Sequence, residues 1–360
     1  MSPFISQALQ ACAPYVPGEQ PQDKTYIKLN TNECPYPPSE KIKKKIGNFD
    51  TAQLRLYPDP ESSEIKQTAA KIFHVKPNQI FVSGGSDEAL GLTFMAFFDH
   101  NDNIYFPDIT YGFYKVYAKL FGLHICEIPL QSNFTINPSD YFHSNGHIIL
   151  ANPNAPTGIV LTPKQIEEIL INNPDQLVVI DEAYIDFDPK NSCVDLINHY
   201  DNLLVIQTFS KSRALAGTRL GLAFGNAELI EALERVKYSF NPYNIDQLST
   251  EIAKIALEDQ GYLHQVVAKI NMTREKTSAD LQALGFEVIP SSANFVFAKP
   301  PSIHAKELYI ALKEKGILVR YFDQERIKDY LRITIGTEEE MNMLIQKINE
   351  IEMSDGFEKN

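Results

Sequence analysis

The stretch "LLVIQTFSKSRALAGTRLG", residues 203–221, decides the fold. Its first seven residues are apolar but for Gln207 and Thr208, the composition of a short strand buried within a sheet. Beyond them the chain turns to Ser210 and Lys211, then to small and hydroxyl residues, with Arg219 eight positions after the lysine. A lysine there is either a rim charge whose stem lies along apolar surface or an amine positioned to react. The neighbouring segments decide between the two.

Outward from this strand the same alternation recurs. The segments "QIFVSG" (79–84), "DNIYFP" (102–107), "LHICEIP" (123–129), "GHIILAN" (146–152) and "LVVIDEAY" (177–184) have the short apolar pattern of buried strands. Helical segments lie among them: "SSEIKQTAAKIF" (62–73), "SDEALGLTFMAFF" (86–98), "YGFYKVYAKLFG" (111–122) and the capped "TPKQIEEIL" (162–170). This alternation predicts an α/β fold, a mostly parallel sheet flanked by helices, with its ligand at the carboxyl ends of the strands. The last third differs, with a long helical stretch (249–284) before "FEVIPSSANFVFAK" (286–299), the helix "HAKELYIALKEKG" (304–316), "ILVRYF" (317–322) and "YLRITIG" (330–336). It predicts a smaller α+β domain. The first forty residues, rich in Pro, Asn and Gln, predict an extended arm that gains order by packing on the rest. The expected units are an arm at 1–40, a large domain at 41–245 and a small domain at 246–360, with the arm packed on the small domain.

Bulk properties narrow the function. The 360 residues suffice for about two domains at roughly 150 residues each. A net charge of −13 opposes nucleic-acid binding, and "KIKKK" (41–45) has the pattern of a solvated helix face. Cys12, Cys34, Cys126 and Cys193 are far apart and form no C-x-x-C pair, so neither a metal site nor a disulfide framework is expected. No segment has the length of a membrane span, and the N-terminus lacks the basic and apolar regions of a signal peptide, which together predict a cytoplasmic protein.

Chemistry is then sought just after each strand. Gly84, Gly85 and Ser86 open a helix, a place for a phosphate near free N–H groups and a positive dipole end. The ordinary reading is a capping serine with an acidic first turn, and Asp87 would repel a phosphate unless its side chain turned away. Tyr111 is suited either to stack on a planar ring or to cap the core. "NPNAPTG" (152–158) has turn composition, and Asn152 and Asn154 also offer amide groups to a ligand oxygen. Asp181 ends an apolar strand, so its carboxylate needs a cationic partner, from a structural ion pair or from a ligand. Tyr184 follows a step later on the same loop. Together these set an amine, a buried carboxylate, an amide loop, a tyrosine and a glycine-rich helix start on neighbouring strand ends. One ligand uses them all: a phosphorylated aromatic aldehyde with a pyridine nitrogen, pyridoxal 5'-phosphate. On that reading Lys211 is placed to bond the aldehyde, and Arg219 to hold the phosphate.

The order of GSDE, Tyr111, NPNAPTG, DEAY, SK, AGTRLG and LRITIG resembles the fold-type I, aspartate-aminotransferase-like enzymes. More narrowly, "YIKLNTNECPYPPS" (26–39), "LRLYPDP" (54–60), GSDEAL, "SKSRALAGTRLG" (210–221) and "YLRITIGT" (330–337) are similar to the histidinol-phosphate aminotransferases, over about residues 14–350. The resemblance implies that Lys211 holds the cofactor and then moves the substrate proton, that Asp181 pairs with the pyridinium nitrogen, and that Tyr184 bonds the phenolic oxygen. It implies further that Tyr111 stacks on the ring, and that Ser86, Asp87, Ser210 and Arg219 hold the phosphate. Tyr57 would reach the cofactor of a partner subunit, making a homodimer part of the site. Arg332 would bind the anionic end of the substrate with Arg320 and Tyr15, while Asn30 and Asn32 close the site. One departure stands out: the family pattern has an asparagine before "PTG" that touches the phenolic oxygen, and here it is Ala155. Either Asn154 substitutes or Tyr184 acts alone.

The expected reaction is transamination between L-histidinol phosphate and 2-oxoglutarate, giving imidazole-acetol phosphate and L-glutamate in histidine biosynthesis. An aromatic-amino-acid transaminase and a threonine-phosphate decarboxylase are the alternatives on the same frame, since paired arginines suit either anion. A cofactor-sensing regulator is disfavoured by the net acidity and by the chain's starting almost at the arm. An inactive relative is disfavoured by the presence of Lys211, Asp181 and Arg332.

Overall fold

The structure, a computed structural model, describes residues 4–6, 9–10 and 12–358, with the side chains of 354–358 left aside. Positions 1–3, 7, 8 and 11 of the expected arm and the last two residues of the C-terminal unit lie outside the described residues. The arm carries strand β1 (Ile27–Lys28), followed by helices α1 (Glu40–Gly47) and α2 (Ser63–Phe73). Then come β2 (Ile80–Ser83), α3 (Ser86–Phe97), β3 (Asn103–Pro107), α4 (Phe113–Leu120), β4 (His124–Ile128), β5 (His147–Ala151), α5 (Pro163–Ile171), β6 (Val178–Asp181), β7 (Leu203–Thr208) and β8 (Gly221–Phe224).

These last seven strands form one sheet in the order β2-β8-β7-β6-β5-β3-β4. Five of them, from β7 to β4, run parallel, whereas β8 is antiparallel to both of its neighbours. Alternation along each strand supplies two cores. Ile148, Leu150, Val178, Ile180 and Val205 pack in one apolar cluster, while Ile149, Val179, Leu204 and Ile206 enter another. Side chains of a strand alternate between faces, so unbroken apolar runs are what a sheet covered on both sides requires. Helix α5 begins as its sequence dictates: the Gln165 N–H donates to Thr162 Oγ1, and the Thr162 N–H donates back to Gln165 Oε1 at 2.9 Å.

The remainder comprises α6 (Ala227–Phe240), α7 (Gln247–Glu258), α8 (Gln260–Ala283), β9 (Glu287–Ile289), β10 (Phe295–Lys299), α9 (Ala305–Glu314), β11 (Ile317–Leu318), β12 (Arg320–Tyr321), β13 (Leu331–Thr334) and α10 (Glu338–Glu358). Four of its strands make an antiparallel sheet ordered β12-β13-β10-β9. Strand β1 pairs in parallel with β11, and Leu29 bridges onward, its N–H donating to Leu318 O and its carbonyl accepting from the Thr334 N–H. Leu29 itself is buried in the cluster beneath this second sheet.

Three details differ from the sequence expectations. "ILVRYF" is two strands rather than one, divided at Val319 so that β11 serves β1 and β12 serves β13. The long helical stretch breaks at Asp259, whose ψ of 54° ends α7. "GLAF" forms a further strand, β8, that the short apolar pattern did not mark; it returns beside β7, with Thr208 opposite Gly221. No described helix is long and apolar enough to cross a membrane.

Candidate active site

The carboxyl ends of β3, β5, β6 and β7, the start of α3 and the arm enclose a cavity of about 520 Å³. Lys211 follows β7 by three residues, at the junction the sequence marks. Its Nζ donates to the carbonyl of Thr31 at 3.2 Å and lies 5.8 Å from the centre of the Tyr184 ring. Burial, and secondarily the charge of Arg332, push its amine down to about 8. At neutral pH a useful fraction is then uncharged.

Asp181 closes β6 and is 4% exposed. Tyr114, from α4, donates its hydroxyl to Oδ2 at 2.8 Å, and the Ala183 N–H donates to Oδ1 at 3.1 Å. Among the described residues no cation pairs with it, and burial lifts its carboxyl to about 6. A buried carboxylate with an unmet need for a cation faces the cavity.

At the other end, Gly85 takes φ +91° to open α3, and a Cβ there would lie 2.7 Å from an Arg219 nitrogen. A Cβ on Gly221 would meet the Gly85 carbonyl carbon at 2.7 Å and the Ser86 nitrogen at 2.9 Å. Only glycines let the helix start, β8 and the arginine converge this closely. Asp87 does not leave a bare negative charge there: Arg219 pairs with its Oδ2 at 3.3 Å and Tyr111 donates to its Oδ1 at 3.0 Å. Thr208 donates to Ser210 Oγ at 2.9 Å, which sets the serine beside the same cradle.

The second sheet contributes Arg332 and Arg320. Arg332 donates from one terminal nitrogen to the carbonyl of Asn30 at 2.9 Å, its guanidinium lies over Phe295 and Phe322, and its buried Nε has no partner. No carboxylate pairs with it among the described residues. Arg320 donates to the carbonyls of Val16 and Pro17, each at 3.3 Å. Tyr15 packs on Phe113 and, edge-on, on Tyr111. Asn30 donates to Glu19 O, and the Asn32 amide donates to the Tyr184 hydroxyl at 2.9 Å.

Of the residues singled out in the sequence, the cavity brings together Tyr15, Asn30, Asn32, Ser86, Asp87, Tyr111, Asp181, Tyr184, Ser210, Lys211, Arg219, Arg320 and Arg332. Two are elsewhere. Asn154 is buried behind the wall, with both amide hydrogens taken, by Ile109 O at 2.9 Å and Thr157 Oγ1 at 3.1 Å. It has no donor left for a ligand oxygen, whereas Ala155 does line the cavity. Tyr57 is 79% exposed and stacks on Tyr243 at 4.4 Å, outside the cavity of its own chain. Sequence reasoning missed Tyr114, Thr31 and Thr334. A tyrosine on the inward face of the α4 pattern is a faint signal for the first, and none marks the threonines.

A strand-end lysine, an unpaired buried carboxylate and an arginine cradle on this sheet define a class of enzymes that handle amino groups, and the family model described as Aminotransferase class I and II matches residues 24–348. The chain belongs to this family, and its relatives carry a narrower name. It is 52% identical to the histidinol-phosphate aminotransferase of Brachyspira hyodysenteriae over 98% of this chain and 99% of that one. It is also 52% identical to that of Marinomonas sp., over 96% and 98%. Among solved structures, the fold matches histidinol-phosphate aminotransferase from Sinorhizobium meliloti in complex with pyridoxal-5'-phosphate, with TM-score 0.87, 22% identity and coverage of 98% and 99%.

Proposed function

We infer that the chain transfers the amino group of L-histidinol phosphate to 2-oxoglutarate, giving imidazole-acetol phosphate and L-glutamate in histidine biosynthesis, with pyridoxal 5'-phosphate as cofactor. The observation that carries the substrate reading is Arg332, a guanidinium with no carboxylate partner among the described residues, beside Arg320 in the cavity. Histidinol phosphate has no α-carboxylate, so its phosphate is the anion this pair would bind, in the planar geometry that guanidinium favours.

The residues fit the cofactor. A pyridinium nitrogen would give Asp181 the cation it lacks, and the cradle of Ser86, Ser210 and Arg219 at the start of α3 suits a phosphate. Bound there, pyridoxal phosphate supplies a carbonyl carbon open to amines and a ring that draws electrons from it. Lys211 would hold its aldehyde carbon. Lys211 Nζ is the one lysine amine lining the cavity among the described residues, and its lowered pKa would let it move the proton at the donor's amine-bearing carbon. Tyr111 would cover the ring, Tyr184 would bond its phenolic oxygen, and Asp87 would offer its backbone N–H to the phosphate. Asn30, Asn32 and Tyr15 close the site around the substrate and keep water out.

The enzyme is inferred to work as a cytoplasmic homodimer in which Tyr57 reaches the phosphate in the partner subunit. Its exposure, with that of Leu54 and Leu56 beside it in the sequence and of Phe240 three residues before its stacking partner Tyr243, supports that reading. The division into an arm at 1–40, a large domain at 41–245 and a small domain at 246–360 is likewise proposed, supported by the separation of the seven-stranded sheet from the four-stranded one.

The test is product analysis with 2-oxoglutarate as acceptor. Glutamate should form from L-histidinol phosphate far faster than from phenylalanine or tyrosine. Glutamate from the aromatic amino acids alone, or carbon dioxide from threonine phosphate, would overturn the substrate assignment.

A further inference from the structure

The edge of the cavity beside Tyr184 is built unlike its other walls. Tyr184 packs against the small apolar cluster of Ala155, Ala293 and Phe295; Ala155 offers no polar side-chain atom, and its neighbour Asn154 has no free hydrogen. Among the described residues, the one hydrogen bond to the Tyr184 hydroxyl comes from the arm: Asn32 Nδ2 donates to it at 2.9 Å.

Asn32 is held with unusual completeness. It is 1% exposed and sits at φ +57°, a conformation asparagine tolerates better than most side chains. Its N–H donates to Thr334 Oγ1 at 3.0 Å, and the Thr334 hydroxyl donates to Asn32 Oδ1 at 3.0 Å. Its carbonyl accepts from Asn294 Nδ2 at 2.9 Å. With Oδ1 engaged by the threonine proton, the amide presents only hydrogens to Tyr184. A phenol has a single proton. Receiving a hydrogen bond from an amide that offers no acceptor, the Tyr184 hydroxyl must direct its own proton elsewhere, and no described residue accepts it. The open direction is the cavity.

We propose that Asn32 is a positioning residue that fixes the Tyr184 hydroxyl as a hydrogen-bond donor to the phenolic oxygen of the cofactor. The proposal rests on the reading that puts the cofactor ring beside Tyr184. Asn32 thereby compensates for the amide absent at Ala155, and the arm contributes to the state of the cofactor as well as to closure.

The experiment is a pH titration of the visible absorption of the holoenzyme without substrate. A hydrogen bond donated to an oxygen anion stabilises the deprotonated form, so its loss raises the midpoint. Tyr184→Phe sets the scale, with an upward shift of about one to two pH units, the worth of a hydrogen bond to a charged group. Asn32→Asp keeps the bonds to Thr334 but replaces the amide donor with an acceptor that draws the Tyr184 proton away, so it should reproduce most of that shift. Asn32→Gly keeps the positive φ and merely frees the hydroxyl, so its shift should be smaller; it also decides the matter if the aspartate variant does not retain cofactor. The double variant N32D/Y184F should titrate like Y184F. Wild-type titration of both Asn32 variants beside a shifted Y184F would overturn the role of Asn32 alone. So would a glycine shift as large as that of aspartate, which would mean lost packing rather than a turned proton. Wild-type titration of Y184F itself would remove Tyr184 from the ring, and both readings with it.

Discussion

Asp181→Asn should make the apoprotein more stable while disabling the site. The carboxyl lies 4% exposed at the end of β6, and burial lifts it from an ordinary 3.8 to about 6. Because the folded value is the higher one, the native state binds the extra proton between these values. The stability that this proton contributes is complete below pH 3.8 and is lost as the pH rises through about 6. The difference of about two units corresponds to about 3 kcal/mol of destabilisation once the group is ionised. An asparagine never ionises, so apo D181N should exceed apo wild type by about 1.5 kcal/mol at pH 5 and about 3 kcal/mol at pH 8. Tyr114 and the Ala183 N–H can still bond the amide, since a phenol both donates and accepts. Holoprotein should reverse the order, because a cation beside the carboxylate removes the cost in wild type and has nothing to pair with in the variant. Urea denaturation of both apoproteins at the two pH values measures the gap. Equal stability at pH 8, or a less stable variant, would refute the picture of Asp181 as an uncompensated buried charge.

Three further outcomes are expected. Lys211→Ala should show no turnover with an unchanged circular dichroism spectrum; transamination near the wild-type rate would remove the lysine from the chemistry. Arg332→Gln forfeits two charge-assisted hydrogen bonds to the substrate anion, about 3–6 kcal/mol together. It should therefore lower kcat/KM for histidinol phosphate by about 10²–10⁴-fold, and a loss below tenfold would take Arg332 out of substrate binding. Tyr57→Phe should leave the subunits associated but weaken cofactor retention on dialysis, and unchanged retention in dimeric protein would exclude Tyr57 from the site.

The sheet was legible because both faces of its strands are covered, which forces runs such as Val178–Ile180 and Leu203–Ile206 that no solvated segment tolerates. The strand-end chemistry was legible for the same reason: Asp181 and Lys211 interrupt or end apolar runs, where a charge is conspicuous. β8 escaped because "GLAF", which starts at the last glycine of "AGTRLG", is only four residues long and pairs with strands distant in sequence, where Gly221 comes close to Gly85. Contacts between distant segments left no mark either. Thr334 grips Asn32 across 302 positions, Thr31 meets Lys211 across 180, and neither threonine stands in a pattern that sets it apart. Asn154 was singled out for its residue type, but the direction of a side chain within a turn depends on which neighbours take its hydrogens.

The most direct test of the central claim, that this cavity holds pyridoxal phosphate on Lys211 and accepts an amino group from histidinol phosphate, is the visible absorption spectrum of the purified protein before and after that amine is added. A band that fades on addition, and returns with 2-oxoglutarate, is the expected result. A band indifferent to histidinol phosphate, or no band even after incubation with pyridoxal phosphate, would contradict it.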